Sequence, residues 1–227
     1  MRHVDSETIA CDSSSMRHNV SKRRVLVLGA TGRTGRHVAA RAARAGHAVI
    51  ALVRREGSFS PERGVREVAW AGASDTAGLS AALEGVDVVI SALGGSETGV
   101  TTVCTDAMHT LVPTMTAAAV PRLIVVSAHG ARESHDRSLY ARAVWSRVGE
   151  KMADKETMEP LIAASGLEWT IVRPPMLRDS PATGRYRTGE DLPIRLWHFI
   201  GRADLADFLV REAEEPQYVR RYPRIRR

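Results

Sequence analysis

A doubly wound, parallel α/β sheet in a single domain is the fold that this sequence predicts, and three observations predict it. Val25-Leu-Val-Leu28 is an apolar run that passes directly into Gly29-Ala-Thr-Gly32-Arg-Thr-Gly35, and then into an Ala-rich helical stretch ending near Gly46. Strand, glycine turn and helix in that order seat a pyrophosphate on backbone N–H groups at a helix N-terminus. The second run, His47 to Val53, is continuously apolar, as a strand buried on both faces is. Beyond it, apolar runs alternate with helical stretches along the chain, the pattern of repeated βα units.

Residues 1–21 are polar and Ser-rich without periodicity and read as a disordered leader. Met1-Arg-His3 recurs as Met16-Arg-His18, which leaves an internal start open. The folded domain is expected over residues 22–215. In its first turn, Gly29 turns the chain tightly out of the strand, Gly32 lets backbone approach phosphates, and Gly35 lets helix and sheet pack closely. Gly46 stops the first helix, and the second strand ends in Arg54-Arg55. Val65 to Trp70 reads as a third strand and Asp75 to Leu83 as a helix. Val86 to Leu93 is the fourth strand, ended by Gly94-Gly95, a small-residue loop of the kind that lies against a cofactor. A helix is expected over Thr101 to Ala119, with Pro113 as a candidate kink. The fifth strand is Arg122 to Ser127, a helix covers 146–165, and Leu167 to Val172 is the sixth strand, stopped by Pro174-Pro175. Asp204 to Glu214 is the last helix, and residues 216–227 form a basic tail, frayed from Arg220 onward.

At 227 residues and 44% hydrophobic content, the chain suffices for one domain with a full core. It has no apolar run of about 18 residues that would span a membrane. No charged-then-apolar signal pattern opens it, so a cytoplasmic protein is expected. Cys11 and Cys104 are the only cysteines, too few for a zinc site or a disulfide framework, and no metal is expected. The net charge of +6 is unevenly placed: residues 1–24 carry +2 and residues 216–227 carry five arginines and no acid. A nucleic-acid footprint belongs on the folded body, so solvated basic ends are the expectation. The partner expected is a small molecule, with the protein a monomer or weak dimer.

The Arg54-Arg55 pair bears on the cofactor. In NAD-binding folds an acid near this strand end bonds the ribose 2′-OH. Here the acid is missing, and two guanidiniums stand ready for a 2′-phosphate. That argues for NADPH, against the alternative that the arginines are merely solvated.

Gly29-Ala-Thr-Gly-Arg-Thr-Gly35, Gly46-His-x-Val49, Ala51-Leu-Val-Arg54, Val88-Val-Ile-Ser-Ala-Leu-Gly94, Ser165-Gly-Leu167 and Val172-Arg-Pro-Pro175 together resemble the atypical short-chain dehydrogenase/reductases. Among these the sequence is most similar to the small NAD(P)H-binding proteins related to flavin reductase and biliverdin reductase B. Thr183-Gly-x-Tyr186 and Arg202-Ala-Asp-Leu-Ala206 extend the match, which covers about residues 24–215. The resemblance implies a Rossmann-like domain. It places the cofactor against Gly29, Thr31, Gly32, Arg33, Thr34, Gly35, Leu93 and Gly94, with the nicotinamide near Ser127, Pro174 and Pro175.

The departures from the family sharpen the chemistry. Mainstream members carry a Lys four residues after the Tyr, but Tyr140 is followed there by Val144. Without a cation a phenol stays near a pKa of about 10 and shuttles protons poorly. Lys155 is one of only three lysines, at a position where relatives place a Lys or His facing the cofactor. Ser127 and Lys155 are therefore the catalytic candidates, the alternative for Lys155 being a solvated pair with Glu159 at i+4. Ala128 and Met176 stand where flavin reductases have a hydroxyl and a histidine, and the loop residue His129 is expected to be exposed. With no Tyr–Lys pair, hydride transfer to a conjugated acceptor such as a flavin or quinone is favoured, because the product anion needs no placed acid. Trp197 and His198 are candidates to stack such a ring, and Phe199 is expected in the core. The alternative function is a non-catalytic NADP-binding redox sensor. An epimerase or dehydratase would need a larger sugar-binding region than this length leaves.

Overall fold

The computed structural model describes residues 21–59, 63–95 and 101–227; apart from residue 21, the expected leader lies outside them, as does Cys11. Six strands form one parallel sheet: β1 (Arg24–Leu28), β2 (Ala48–Val53), β3 (Val65–Ala69), β4 (Val88–Ser91), β5 (Arg122–Val126) and β6 (Glu168–Val172), in the order β3-β2-β1-β4-β5-β6. The order reverses between β1 and β4. Both strands present their C-terminal ends to one crevice there, which is where ligands bind in open α/β sheets.

Strand periodicity divides the core into two layers. Val25 and Val27 face one side, where α1 (Arg33–Arg44) and α5 (Arg202–Glu214) pack through Val38, Ala42, Leu205 and Leu209. Leu26 and Leu28 face the other, against α2 (Thr76–Ala82), α3 (Val103–Ala117) and α4 (Leu139–Ala163) through Leu79, Met108, Leu111 and Ile162. Doubly wound is therefore the observed architecture, as the sequence predicts. Pro113 sits within α3, which continues through it.

Two expectations are corrected. The helix expected to start at 146 begins at Leu139, where the Ser138 hydroxyl caps it by accepting the Ala141 N–H at 3.1 Å. Val148, at φ −138°, breaks its geometry, and that break hid the first turns from the periodicity. The frayed tail is the second correction. The Arg220 N–H donates to the Trp169 carbonyl at 2.6 Å, and the Pro223 carbonyl accepts from the Arg173 N–H at 2.8 Å, so the segment runs beside β6. It ends in β10 (Arg224–Arg226), antiparallel to β8 (Arg187–Gly189). Ile225 is fully buried among Ile200, Leu205 and Val172. One apolar residue between arginines carries no readable period, yet it anchors the segment and lays the basic end on the folded body.

A second short ribbon, β7 (Met176–Arg178) paired in parallel with β9 (Phe199–Gly201), follows the double proline above the sheet edge.

Candidate active site

The glycine turn leaves β1 at Gly29, whose φ of +77° is the left-handed conformation open to glycine. A Cβ on Gly35 would lie 2.1 Å from the Gly29 carbonyl oxygen, so the close seat of α1 on the turn requires glycine there. Gly32, the N-cap of α1, offers no side chain to cap the helix, and no acid stands in its first turn. Among the described residues, no side-chain acceptor caps the first-turn N–H groups of α1. Gly32 and Arg33 are exposed, Thr31 is half-buried and Thr34 is buried. Arg33 pairs with Asp179, which also accepts from Arg202 at 2.8 Å.

Arg54 and Arg55 emerge exposed from the end of β2, in no ion pair among the described residues. The loop that follows is shaped by Glu67 of β3, whose carboxylate accepts the N–H groups of Gly57, Ser58 and Phe59 at 2.9–3.1 Å. Leu93 is half-buried and Gly94 exposed beyond β4.

The crevice floor holds a buried polar cluster. Ser127, just past β5, hydrogen-bonds Glu159 Oε1 at 2.5 Å. Glu159 in turn accepts from Arg173 at 3.1 Å and 2.5 Å, and both are 1% exposed. Arg173 also pairs with Glu133 and lies 4.3 Å from the ring centre of Tyr222, in the C-terminal segment. Glu159 is not the partner of Lys155. One helical turn earlier on α4, the buried Lys155 reaches the other way. Its Nζ lies 3.1 Å from the Leu93 carbonyl, 2.9 Å from the Val126 carbonyl and 3.2 Å from Cys104 Sγ. An ammonium has three donors, and all three are engaged, tying the ends of β4 and β5 together. Cys104 is fully buried, and burial pushes its thiol pKa up. Asp154 accepts the N–H groups of Cys104 and Thr105 at 3.0 Å and 2.9 Å, and hydrogen bonds to it hold its pKa down despite burial.

Arg173 and Asp154 carry no reading of their own from the sequence, and Glu159 enters it only as the alternative i+4 partner of Lys155. Arg173 sits inside the Val172-Arg-Pro-Pro175 motif, and Glu159 one turn beyond Lys155, which were the available signals. Pro174 and Pro175 are buried between β6 and β7.

His129 corrects an expectation: it is 2% exposed, its Nδ1 has no hydrogen-bond partner, and its ring lies 5.2 Å from that of Tyr140. The loop folds inward because the His129 N–H is held by the Pro174 carbonyl at 2.9 Å. Burial pulls the imidazole pKa down to about 4, with Arg224 and Arg173 adding to the effect. Tyr140 is also buried, and burial pushes its phenol up to about 12. Phe199 is half-buried under Arg178, whose guanidinium lies 4.1 Å from the ring centre, and Trp197 is 65% exposed.

The buried imidazole makes stability depend on pH. In the unfolded chain His129 takes a proton below about 6.5, whereas the folded protein resists protonation until about 4. Stability from this group is complete above pH 6.5 and falls as the pH drops through that window, by about 3 kcal/mol at the bottom. Urea unfolding at pH 7 and pH 4.5 should show a smaller difference for His129→Phe than for the unmodified protein; equal differences would show that other groups set the acid limit.

Residues 29–216 match the model of a family described as NAD(P)H-binding. The chain belongs to this NAD(P)H-binding family. It is 30% identical over 200 residues to a protein of Bacillus subtilis (strain 168) described as the uncharacterized sugar epimerase YhfK, covering 85% of this chain and 88% of that one. Among solved structures, ChuY, an anaerobillin reductase from Escherichia coli O157:H7, superposes with a TM-score of 0.75 at 24% identity, over 89% of this chain and 96% of that one. A wide-type short-chain dehydrogenase/reductase from Veillonella parvula DSM 2008 in complex with NADP superposes equally well, at 0.75 and 15% identity, over 89% and 94% of the two chains. At such identities the two structures speak for the fold alone. The NAD(P)H-binding class that the motif resemblance implies is borne out, and the residues of this member fit that cofactor class. The uncapped start of α1 and the close glycine contact at Gly35 are compatible with a pyrophosphate. No helix among the described residues is long and apolar enough to cross a membrane.

Proposed function

We propose that this family member is an NADPH-dependent reductase that passes hydride to a conjugated small-molecule acceptor. The carrying observation is the state of the proton donors. Lys155 has its three N–H groups on Leu93, Val126 and Cys104. Ser127 holds its proton against Glu159. The Tyr140 phenol is buried, its pKa pushed up to about 12, with Val144 where a lysine would tune it. An isolated carbonyl needs a proton in the transition state, and none of these groups is free to give one. A flavin- or quinone-like acceptor stabilises its own product anion, which water then protonates.

In this reading the N-terminus of α1 holds the pyrophosphate, with Thr31, Gly32, Arg33 and Thr34 around it and Leu93-Gly94 alongside. Arg54 and Arg55 take the 2′-phosphate. Ser127, Pro174 and Pro175 form the floor under the nicotinamide. Lys155 acts as a positioning residue, fixing the Leu93 and Val126 carbonyls, and its charge lies close beneath that floor. When bound, the cofactor supplies the hydride.

Arg54→Ala/Arg55→Ala tests the cofactor assignment. Each charge-assisted bond to the phosphate contributes roughly 1.5–3 kcal/mol. NADPH affinity should therefore fall at least about tenfold while NADH affinity changes little. Equal losses for both cofactors would overturn the assignment.

A further inference from the structure

We propose that Ser127 meets its bound ligand only as a hydrogen-bond acceptor, and that Glu159 is the positioning residue that makes it so. The inference rests on the proposed placing of Ser127 under the nicotinamide, and it adds the ligand group that the serine recognises, an N–H donor. A hydroxyl has one proton to give and lone pairs that accept. The Ser127 proton goes to Glu159 Oε1 at 2.5 Å. Arg173 fixes the direction of that bond. Its Nε donates to the same oxygen at 3.1 Å and its Nη2 donates to Oε2 at 2.5 Å. A carboxylate gripped at both oxygens by a guanidinium only accepts, so Ser127 is the donor.

The position of Ser127 is fixed as well. Its N–H donates to the Val172 carbonyl at 2.8 Å, and the His129 N–H donates to the Pro174 carbonyl at 2.9 Å, which pins the end of β5 to the end of β6. The ion pair does not need the hydroxyl. Arg173 already occupies both Glu159 oxygens, while Glu133 and the Tyr222 ring engage the rest of the guanidinium. Among the described residues no donor reaches the Ser127 oxygen. Its lone pairs are left for a ligand, and a ligand carbonyl there would set lone pair against lone pair. Two groups can supply the N–H: the carboxamide of the nicotinamide, or a ring N–H of the acceptor.

Cofactor analogues altered only at the carboxamide separate the two polarities. The thionicotinamide analogue of NADP⁺ keeps the NH₂ and replaces the carbonyl oxygen by sulfur. The acetylpyridine analogue keeps the carbonyl and replaces the NH₂ by methyl. Dissociation constants are measured by calorimetry for the full chain and for Ser127→Ala, which leaves Glu159 paired. The preference for NADP⁺ over the acetylpyridine analogue should be about fivefold larger in the unmodified protein than in Ser127→Ala. The thionicotinamide analogue should show no loss that depends on Ser127. In Glu159→Leu/Arg173→Met the hydroxyl is free to turn and donate, so the preference should fall to the Ser127→Ala level or below. A merely structural role for Glu159 would shift all three cofactors together. Discrimination that persists in this double variant would overturn the positioning role. Lumiflavin and its imide-methylated form, titrated onto the NADP⁺-loaded protein, test the second source of the N–H. Discrimination between these two that Ser127→Ala abolishes, with none among the cofactor analogues, would place the donor on the acceptor and sustain the proposal. A Ser127-dependent loss for the thionicotinamide analogue alone, or equal ratios in unmodified protein and Ser127→Ala for both ligand pairs, would overturn it. Every readout is equilibrium binding, so this binding pattern without turnover would overturn the reductase reading and leave the polarity of Ser127 standing.

Discussion

Glu159→Ala is expected to lower the stability of the protein by about 3 kcal/mol, because removing one member of a buried ion pair leaves an uncompensated charge. Arg173 is 1% exposed and has Glu159 on one side and the more exposed Glu133 on the other. The remaining Glu133 keeps the loss near the lower end of the range for such pairs, about 3–5 kcal/mol. The same substitution frees the Ser127 hydroxyl, which Glu159 holds. The pair Glu159→Leu/Arg173→Met should recover most of the stability, since apolar replacement of a buried ion pair is often neutral. Urea unfolding of the single and double variants decides it. A single-variant loss below about 1 kcal/mol would mean that Arg173 is held by Glu133 and Tyr222 alone.

Ending the chain after Gln217 should be at least as damaging. The deleted residues bury Ile225 completely, place Tyr222 over Arg173, supply the Tyr218 carbonyl that accepts from Thr170 Oγ1 at 2.7 Å, and pair with β6 and β8. Burial of Ile225 alone contributes about 2 kcal/mol. With the cation–π contact and the backbone pairing, the loss reaches about 4 kcal/mol. In a domain of this size that lowers Tm by about 8–16 °C. A melting temperature unchanged by the truncation would show that the segment rests on the body without supporting it.

Those two expectations rest on features the sequence hides. The β1 strand, its glycine turn and α1 are legible because each glycine answers to a specific backbone demand, seen at Gly29 in its φ of +77° and at Gly35 in the space it leaves. Arg54 and Arg55 are legible because a strand end fixes where they emerge. The Ser127–Glu159–Arg173 cluster is not, because it joins three elements far apart in the chain and a charged residue in a sequence carries no mark of burial. His129 looked like a loop residue until the Pro174 carbonyl drew its backbone inward. The C-terminal strand was masked by its arginines, since Ile225 is the one apolar residue of β10.

The central claim, that this NAD(P)H-binding protein is a reductase for conjugated acceptors, is tested most directly by anaerobic single-turnover mixing. Protein loaded with NADPH is mixed with a flavin or quinone, and absorbance is followed at the wavelengths of cofactor and acceptor together. The account predicts stoichiometric cofactor oxidation matched by acceptor reduction, saturable in acceptor, and much slower with simple aldehydes or ketones. Tight NADPH binding with no oxidation by any acceptor in the panel would contradict it and identify the protein as an NADP-binding sensor.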